Sequence, residues 1–206
     1  GKARMNKINI VEIDASYSFS GNDYLSLSLL NYKNGDRNPY VWMSFQNVIK
    51  MANIVADDLS ELFPENSKII EKNLTKFSQE IKEIENGYLE KTLTLSSLSV
   101  ITLTENLDYL FNDLNIFFNY TDSNEVTVKN VAEIMKRNNS KIFISDRWIK
   151  KEIINEIEKK GGKFLVLDNF NIPRELNEKM DPDGYLKGMK ENMKKLVEAM
   201  KFMDKK

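Results

Sequence analysis

Between Leu98 and Asp168 the chain alternates short β-rich runs with amphipathic runs, and no other feature restricts its fold as much. Ser99 to Leu103, Ile116 to Tyr120, Lys141 to Ser145 and Lys163 to Asp168 carry the β-branched and aromatic residues of strands. Glu105 to Leu114 is helical, with Leu107, Leu110, Phe111 and Leu114 inward. Thr127 caps a helix through Arg137 with Val131, Ile134 and Met135 apolar, and Trp148 to Lys160 makes a third helix with Ile149, Ile153, Ile154 and Ile157. Gly161-Gly162 ends it, at the usual place of a left-handed cap. Strands separated by helices of this length form βαβ units, so the expected class is α/β with a four-stranded parallel sheet flanked by helices. Ligands of such sheets sit beyond the carboxyl ends of the strands. Those ends are Leu103-Thr104, Tyr120-Thr121, Ser145-Asp146 and Asp168-Asn169. A loop with Pro173 and Asp181-Pro182-Asp183-Gly184 then leads to a final helix, Tyr185 to Met203.

The first part of the chain is organised differently. Ile8 to Ile13 reads as a strand, and Tyr24 to Leu30 alternates Leu25, Leu27 and Leu29 with serines, the period of a half-buried strand. Asn34-Gly35-Asp36 supplies turn chemistry. In Asn38-Pro39-Tyr40-Val41-Trp42-Met43 the proline forbids a helix through itself, which places a junction there. By residue type alone it is a turn with an aromatic anchor. Ser44 is the expected N-cap of a helix to Leu62 with a stripe of Val48, Met51, Ala52, Val55, Leu59 and Leu62. Pro64 starts a second helix, along which Ile70, Leu74, Phe77, Ile81, Ile84 and Tyr88 step by three and four. About 25 helical residues span nearly 40 Å, which suits a helix bridging two lobes. The implied division is 1–63, remnant of an N-terminal lobe; 64–91, linking helix; 92–206, C-terminal α/β lobe.

Composition removes several classes of function. The charges nearly cancel, at a net −1, so composition gives no argument for nucleic acid, which would favour a basic face. With no cysteine and no histidine, thiolate metal sites, imidazole ligands and triads built on either residue are excluded. No glycine-rich phosphate loop follows a strand, and no apolar run reaches membrane-helix length. Asp181-Pro182-Asp183-Gly184 lacks the later ligands of a calcium loop and reads as a turn and N-cap. Met189, Met193, Met200 and Met203 are packing residues by their helical spacing, and Lys150, Lys151, Lys159 and Lys160 a solvated face.

The order of landmarks resembles the zinc and manganese solute-binding proteins of ABC importers. Asn38-Pro39-Tyr40-Val41-Trp42-Met43 looks like that family's Asp-Pro-His-x-Trp-Leu motif, and PENSKIIEKNLTKFSQEI like the start of its lobe-linking helix. VITLTENLDYLFNDLNI, KIFISDRWIKKEIINEI, FLVLD and DGYLKGMKENMKKLVEAM are similar to successive segments of its second lobe. The resemblance implies two lobes joined by a rigid helix with a metal ion between them, held by four side chains. The first ligand, a histidine, would lie before Gly1. Tyr40 stands in place of the second and Thr104, beside Glu105, in place of the third. Asp168 matches the fourth, an acid after the last strand; its other reading is a residue capping a loop. Ser145, beside Asp146, replaces a further family glutamate.

The resemblance implies a protein that binds and is not an enzyme, with an ABC permease and a metal ion or small solute as partners and without nucleic acid. The implied location is outside the cytoplasmic membrane, as a lipoprotein. Losing imidazole at Tyr40 and Thr104 points to weak or lost zinc and manganese binding. A carboxylate set of Glu105, Asp108, Asp146 and Asp168 would favour harder ions. A different outcome of the same losses is a scaffold serving as an interaction or adhesion module, or one binding a non-metal solute through Tyr40, Trp42 and Tyr109. Residues 1–62 are expected to pack as part of a lobe, against a second copy or an absent N-terminal segment.

Overall fold

The computed structural model describes residues 13–16, 26–96, 98–171, 181 and 183–204. The expected strand at Ile8 to Ile13, apart from its last residue, the start of that at Tyr24, and Pro173 lie outside them. Four strands form the sheet: β1 (Ser99–Thr102), β2 (Phe117–Tyr120), β3 (Ile142–Ser145) and β4 (Lys163–Val166). They pair in the order β2-β1-β3-β4 and every pairing is parallel, as the alternation requires. The described helices are α1 (Phe45–Leu62), α2 (Ser67–Thr92), α3 (Asp108–Asp113), α4 (Val131–Asn138), α5 (Lys151–Lys159) and α6 (Gly184–Asp204).

Adjacent residues of a strand face opposite ways, and here both faces are covered. Ile101 of β1 and Phe143 of β3 pack with Val131 and Ile134 of α4 and Ile153 and Ile157 of α5. Val100, Ile142 and Ile144 face the other way, into a larger core with α3 and α6. Met43, Phe45 and Val48, together with Ile81, Ile84 and Tyr88 of α2, belong to that same core. Residues near the Pro39 junction are thus continuous with the sheet's packing.

Several boundaries move from those expected, each for a local reason. Residues 26–30 form no strand. Their backbone is satisfied by side chains instead: the amide of Asn47 bonds both Ser28 N and Ser28 O at 2.8 Å, and Lys50 Nζ donates to Ser26 O at 2.9 Å. Leu29, placed on the buried face by alternation, is 50% exposed. The stripe on α1 is likewise rotated. Ile54 and Ala56 are buried and Leu62 is 42% exposed, because α1 packs on α2 while Asn47 and Lys50 hold residues 26–28. Its cap is as expected, with Ser44 Oγ accepting from Asn47 N at 3.1 Å.

Helix α3 begins at Asp108, not Glu105, since Thr104 Oγ1 takes the Asn106 amide and holds the chain in a turn. Thr127 does not cap α4; its N–H donates to Asn130 Oδ1 at 2.8 Å in a turn that ends where the helix starts. Trp148 precedes α5 and is 74% exposed, leaning on Phe164. Gly161 adopts φ 77°, the left-handed cap expected there. Pro64 sits in a single 3₁₀ turn that leads into α2, a 26-residue helix buried only in its second half. Asp181 Oδ1 accepts from Asp183 N at 3.0 Å, the turn expected before the final helix.

Candidate functional site

The carboxyl ends of the strands and the Asn38–Met43 junction meet around one buried carboxylate. Asp146 follows β3, and its side chain is 2% exposed. Its Oδ2 accepts from Asn106 Nδ2 at 2.6 Å and from Asn169 Nδ2 at 2.9 Å, while Oδ1 accepts from Arg147 Nε at 3.1 Å. Asn106 belongs to the turn after β1 and Asn169 to the segment after β4. One acid therefore ties three strand ends together. Three hydrogen bonds occupy both of its oxygens, which offsets the cost of burying them.

The junction is fastened to the same place. Asn38 is fully buried: its Nδ2 donates to Glu105 O at 2.8 Å and its Oδ1 accepts from Tyr40 N at 3.0 Å. Val41–Met43 turns as a short 3₁₀ segment after Pro39, which brings the rings of Tyr40 and Trp42 to 5.4 Å. Trp42 Nε1 donates to Asn169 O at 2.8 Å, and Tyr185 donates its hydroxyl to Trp42 O at 2.7 Å. Tyr40 is half-buried, and its hydroxyl accepts from Asn171 Nδ2 at 3.1 Å. The junction is an aromatic anchor held by β4's exit and α6.

A hairpin-like turn covers the end of β1. Lys33 N donates to Glu105 Oε2 at 2.6 Å, and Tyr32 donates to Asn106 Oδ1 at 2.9 Å. Burial first, then the charges of Tyr40, Glu105, Asp108 and Asp146, pushes the Tyr32 hydroxyl up to about 12. Between this turn and the strand ends lies a cleft of about 420 Å³, lined by Tyr32, Thr104, Glu105, Tyr120, Asp122 and Arg147 among others. Lys33 Nζ lies 4.5 Å from the centre of the Tyr120 ring.

The positions singled out from the sequence are distributed as follows. Thr104 and Glu105 line the cleft with Ser145, whereas Tyr40 and Asp168 are not among its lining residues. Thr104 is 7% exposed. Asp168 is exposed; its Oδ1 accepts from Phe170 N at 2.8 Å, while Asn192 of α6 bonds its backbone N and O. Tyr109 is a correction. It is 2% exposed, its hydroxyl accepting from Leu30 N and donating to Asn38 O, so it is a core strut and not a cleft residue. Among the described residues no cluster of three or more acids is placed to hold a metal ion, so the four-carboxylate set is not assembled. Asn106, Asn169 and Asn38 carry the architecture and were missed. Asparagines at strand ends and before Pro39 were the available signal, but only the fold shows what their amides reach.

Asp108 is a strained member of the group. Its Oδ1 is buried without a hydrogen-bond partner. Burial first, then the charge of Glu105, raises its carboxyl from 3.8 to about 7, against a smaller lowering by Lys33. The folded chain holds this proton more tightly than the unfolded chain. Asp108 therefore costs nothing below pH 4, and its penalty grows as pH rises towards 7 and levels off above. Asp108→Asn is expected to stabilise the fold by roughly 1–2 kcal/mol at pH 8, discounted for the solvent reaching this carboxyl, and by nearly nothing at pH 4. Urea melts at the two pH values measure this, and equal effects at both would assign the penalty elsewhere.

Comparison with known proteins bears on the family and the fold. The model of the family described as "zinc-uptake complex component A periplasmic" matches residues 4–199. The zinc-binding lipoprotein AdcA of Streptococcus pneumoniae is 23% identical over 170 residues, which is 78% of this chain and 34% of AdcA. The chain thus spans about a third of the length of that curated relative. Among solved structures, a mutant of FpvC from Pseudomonas aeruginosa superposes with a TM-score of 0.74 at 17% identity, over 92% of this chain and 71% of FpvC. The Zn(II)-bound ZnuA-like domain of Streptococcus pneumoniae AdcA gives 0.67 at 20% identity, over 97% of this chain and 73% of that domain. At such identities these likenesses establish the fold, whereas the family match spans nearly the whole chain: the protein belongs to the periplasmic component A family of zinc-uptake complexes.

Proposed function

We propose that this protein is the solute-binding component of an ABC importer, acting outside the cytoplasmic membrane, and that it holds zinc or manganese weakly or not at all. In this reading residues 1–63 are part of the first lobe, 64–91 the link and 92–206 the second lobe. The partner is a membrane permease, and a lipid anchor retains the receptor at the surface. The observation that carries the weak-metal reading is the commitment of Asp146. Its two oxygens accept three hydrogen bonds, so the acid beside the expected cleft has little left for a cation. Tyr40 and Thr104 bring hydroxyls to positions where the family uses stronger donors, and the chain has no histidine. Asp168 and Glu105 are the residues left to contact an ion, and each already accepts one backbone bond. Two carboxylates with water would suit a hard cation better than zinc.

Isothermal titration of the folded protein with zinc and with manganese tests this directly. No heat is expected at micromolar metal. A one-to-one, submicromolar isotherm that Asp168→Asn abolishes would overturn the weak-metal reading.

A second reading keeps the receptor role and changes the cargo. The cleft of about 420 Å³ falls in the size range of small-molecule sites and exceeds what a bare cation fills. Its lining mixes aromatic rings with Glu105, Asp122 and Arg147, groups that suit a polar organic solute. Under this reading, Glu105→Gln abolishes solute-induced thermal stabilisation while Asp168→Asn leaves it intact.

A further inference from the structure

A second concavity lies between the linking helix α2 and the closing helix α6, and it shares no residue with the cleft. It measures about 480 Å³ and follows α6 from Lys190 to Lys201, roughly 16 Å of helix. Ile84 and Tyr88 of α2 and Met193 and Val197 of α6 make an apolar floor. Gly87 opens it, since a Cβ placed there would meet nothing within 4 Å. Four lysines (Lys91, Lys190, Lys194 and Lys201) line it against two glutamates, Glu83 and Glu198. Among the described residues Lys91, Lys190 and Lys201 make no ion pair, and Lys194 only a long one of 3.9 Å with Glu191.

Tyr88 lines the groove and is 1% exposed, part of its closed floor. An apolar trough with a cationic rim is complementary to a chain-bearing anion. Lysine stems extend the apolar wall while their ammonium groups meet the head, and methionine adapts to the chain.

We infer that the α2–α6 groove binds a free long-chain carboxylate, its chain on Ile84, Met193 and Val197 and its head among the lysines. This site stands whether or not the receptor reading above is right.

Calorimetric titration with dodecanoate, kept below its micelle concentration, tests the inference on the full chain. Saturable one-to-one binding is expected. Gly87→Phe, which fills the trough, and the double change Lys190→Glu with Lys194→Glu are each expected to weaken it about ten-fold. Dodecanol, with the same chain and no charge, should bind about ten-fold more weakly than dodecanoate. Circular dichroism checks that both variants remain folded, and the exposed lysine pair serves if Gly87→Phe does not. The inference is overturned if dodecanoate shows no saturable binding, if a folded variant binds it as well as the parent, or if dodecanol matches it. Co-sedimentation with phosphatidylglycerol vesicles without dodecanoate binding would instead assign the surface to a membrane, and would equally overturn it.

Discussion

Asp146→Ala is expected to lower stability by about 3 kcal/mol, because it leaves two half-buried amide groups without acceptors. Asn106 Nδ2 and Asn169 Nδ2 both end on Asp146 Oδ2, and these bonds join the exits of β1, β3 and β4. Each hydrogen bond to a charged acceptor contributes roughly 1.5–3 kcal/mol, and an orphaned donor adds its own desolvation cost. Arg147 contributes little, since its side chain is 73% exposed and water replaces the lost partner. In a chain of this size the loss corresponds to a fall in melting temperature of about 10 °C. Asp146→Asn is expected to recover most of the loss: its one oxygen can accept from both amides, and its amide nitrogen then faces only the exposed Arg147. Thermal melts of the two variants measure the effect. A loss below 1 kcal/mol for Asp146→Ala would mean that the strand ends hold their positions without the clamp, and that the acid is free for another role.

Gly162→Ala is expected to cost about 2–3 kcal/mol, from overpacking and not from backbone conformation. A Cβ at this position would lie 2.6 Å from the backbone oxygen of Lys141 and 2.5 Å from Met135 Cε. The methionine end can swing away, but the Lys141 carbonyl is fixed because it accepts the Lys163 amide where β4 begins beside β3. Relief therefore requires shifting β4 away from β3. Gly161→Ala is the control. Its strain comes from φ 77°, so its smaller cost of about 1 kcal/mol arises from the backbone alone. If chemical denaturation ranks the two glycines the other way, the close approach at Gly162 is softer than its distances imply.

Much of the second half was legible because strand and helix periods differ and the connections are short. Ile142, Phe143 and Ile144 had to be a strand buried on both faces, and the sheet buries each of them. Ser44 could be named as a cap because an N-cap acts within three residues, on Asn47 N. The segment from Ser26 to Leu30 failed for the opposite reason. Its alternation of leucine and serine is compatible with a strand, but whether a strand forms depends on a neighbouring strand, and Asn47 from α1 satisfies its backbone instead. The start of α4 was misplaced because Asn130 turns its side chain back onto Thr127 N and Glu125 O, which holds residues 127–130 in a turn ahead of the helix.

The sequence by itself determined the α/β class, the parallel sense of the sheet, the strand ends at which a site would lie and the break at Pro39. Each of these follows from local periodicity, short connections or a single residue's stereochemistry. Only the tertiary structure decided which side chains remain available for chemistry. Asp146, Asp108, Tyr109 and Tyr40 all looked usable in the chain, yet one clamps three strand ends, one has a buried oxygen without a hydrogen-bond partner, one is a core strut and one leans on Trp42. Availability depends on what occupies a group's lone pairs and on how deeply it is buried. Both are set by residues distant along the chain, such as Asn106 and Asn169 on the two sides of Asp146.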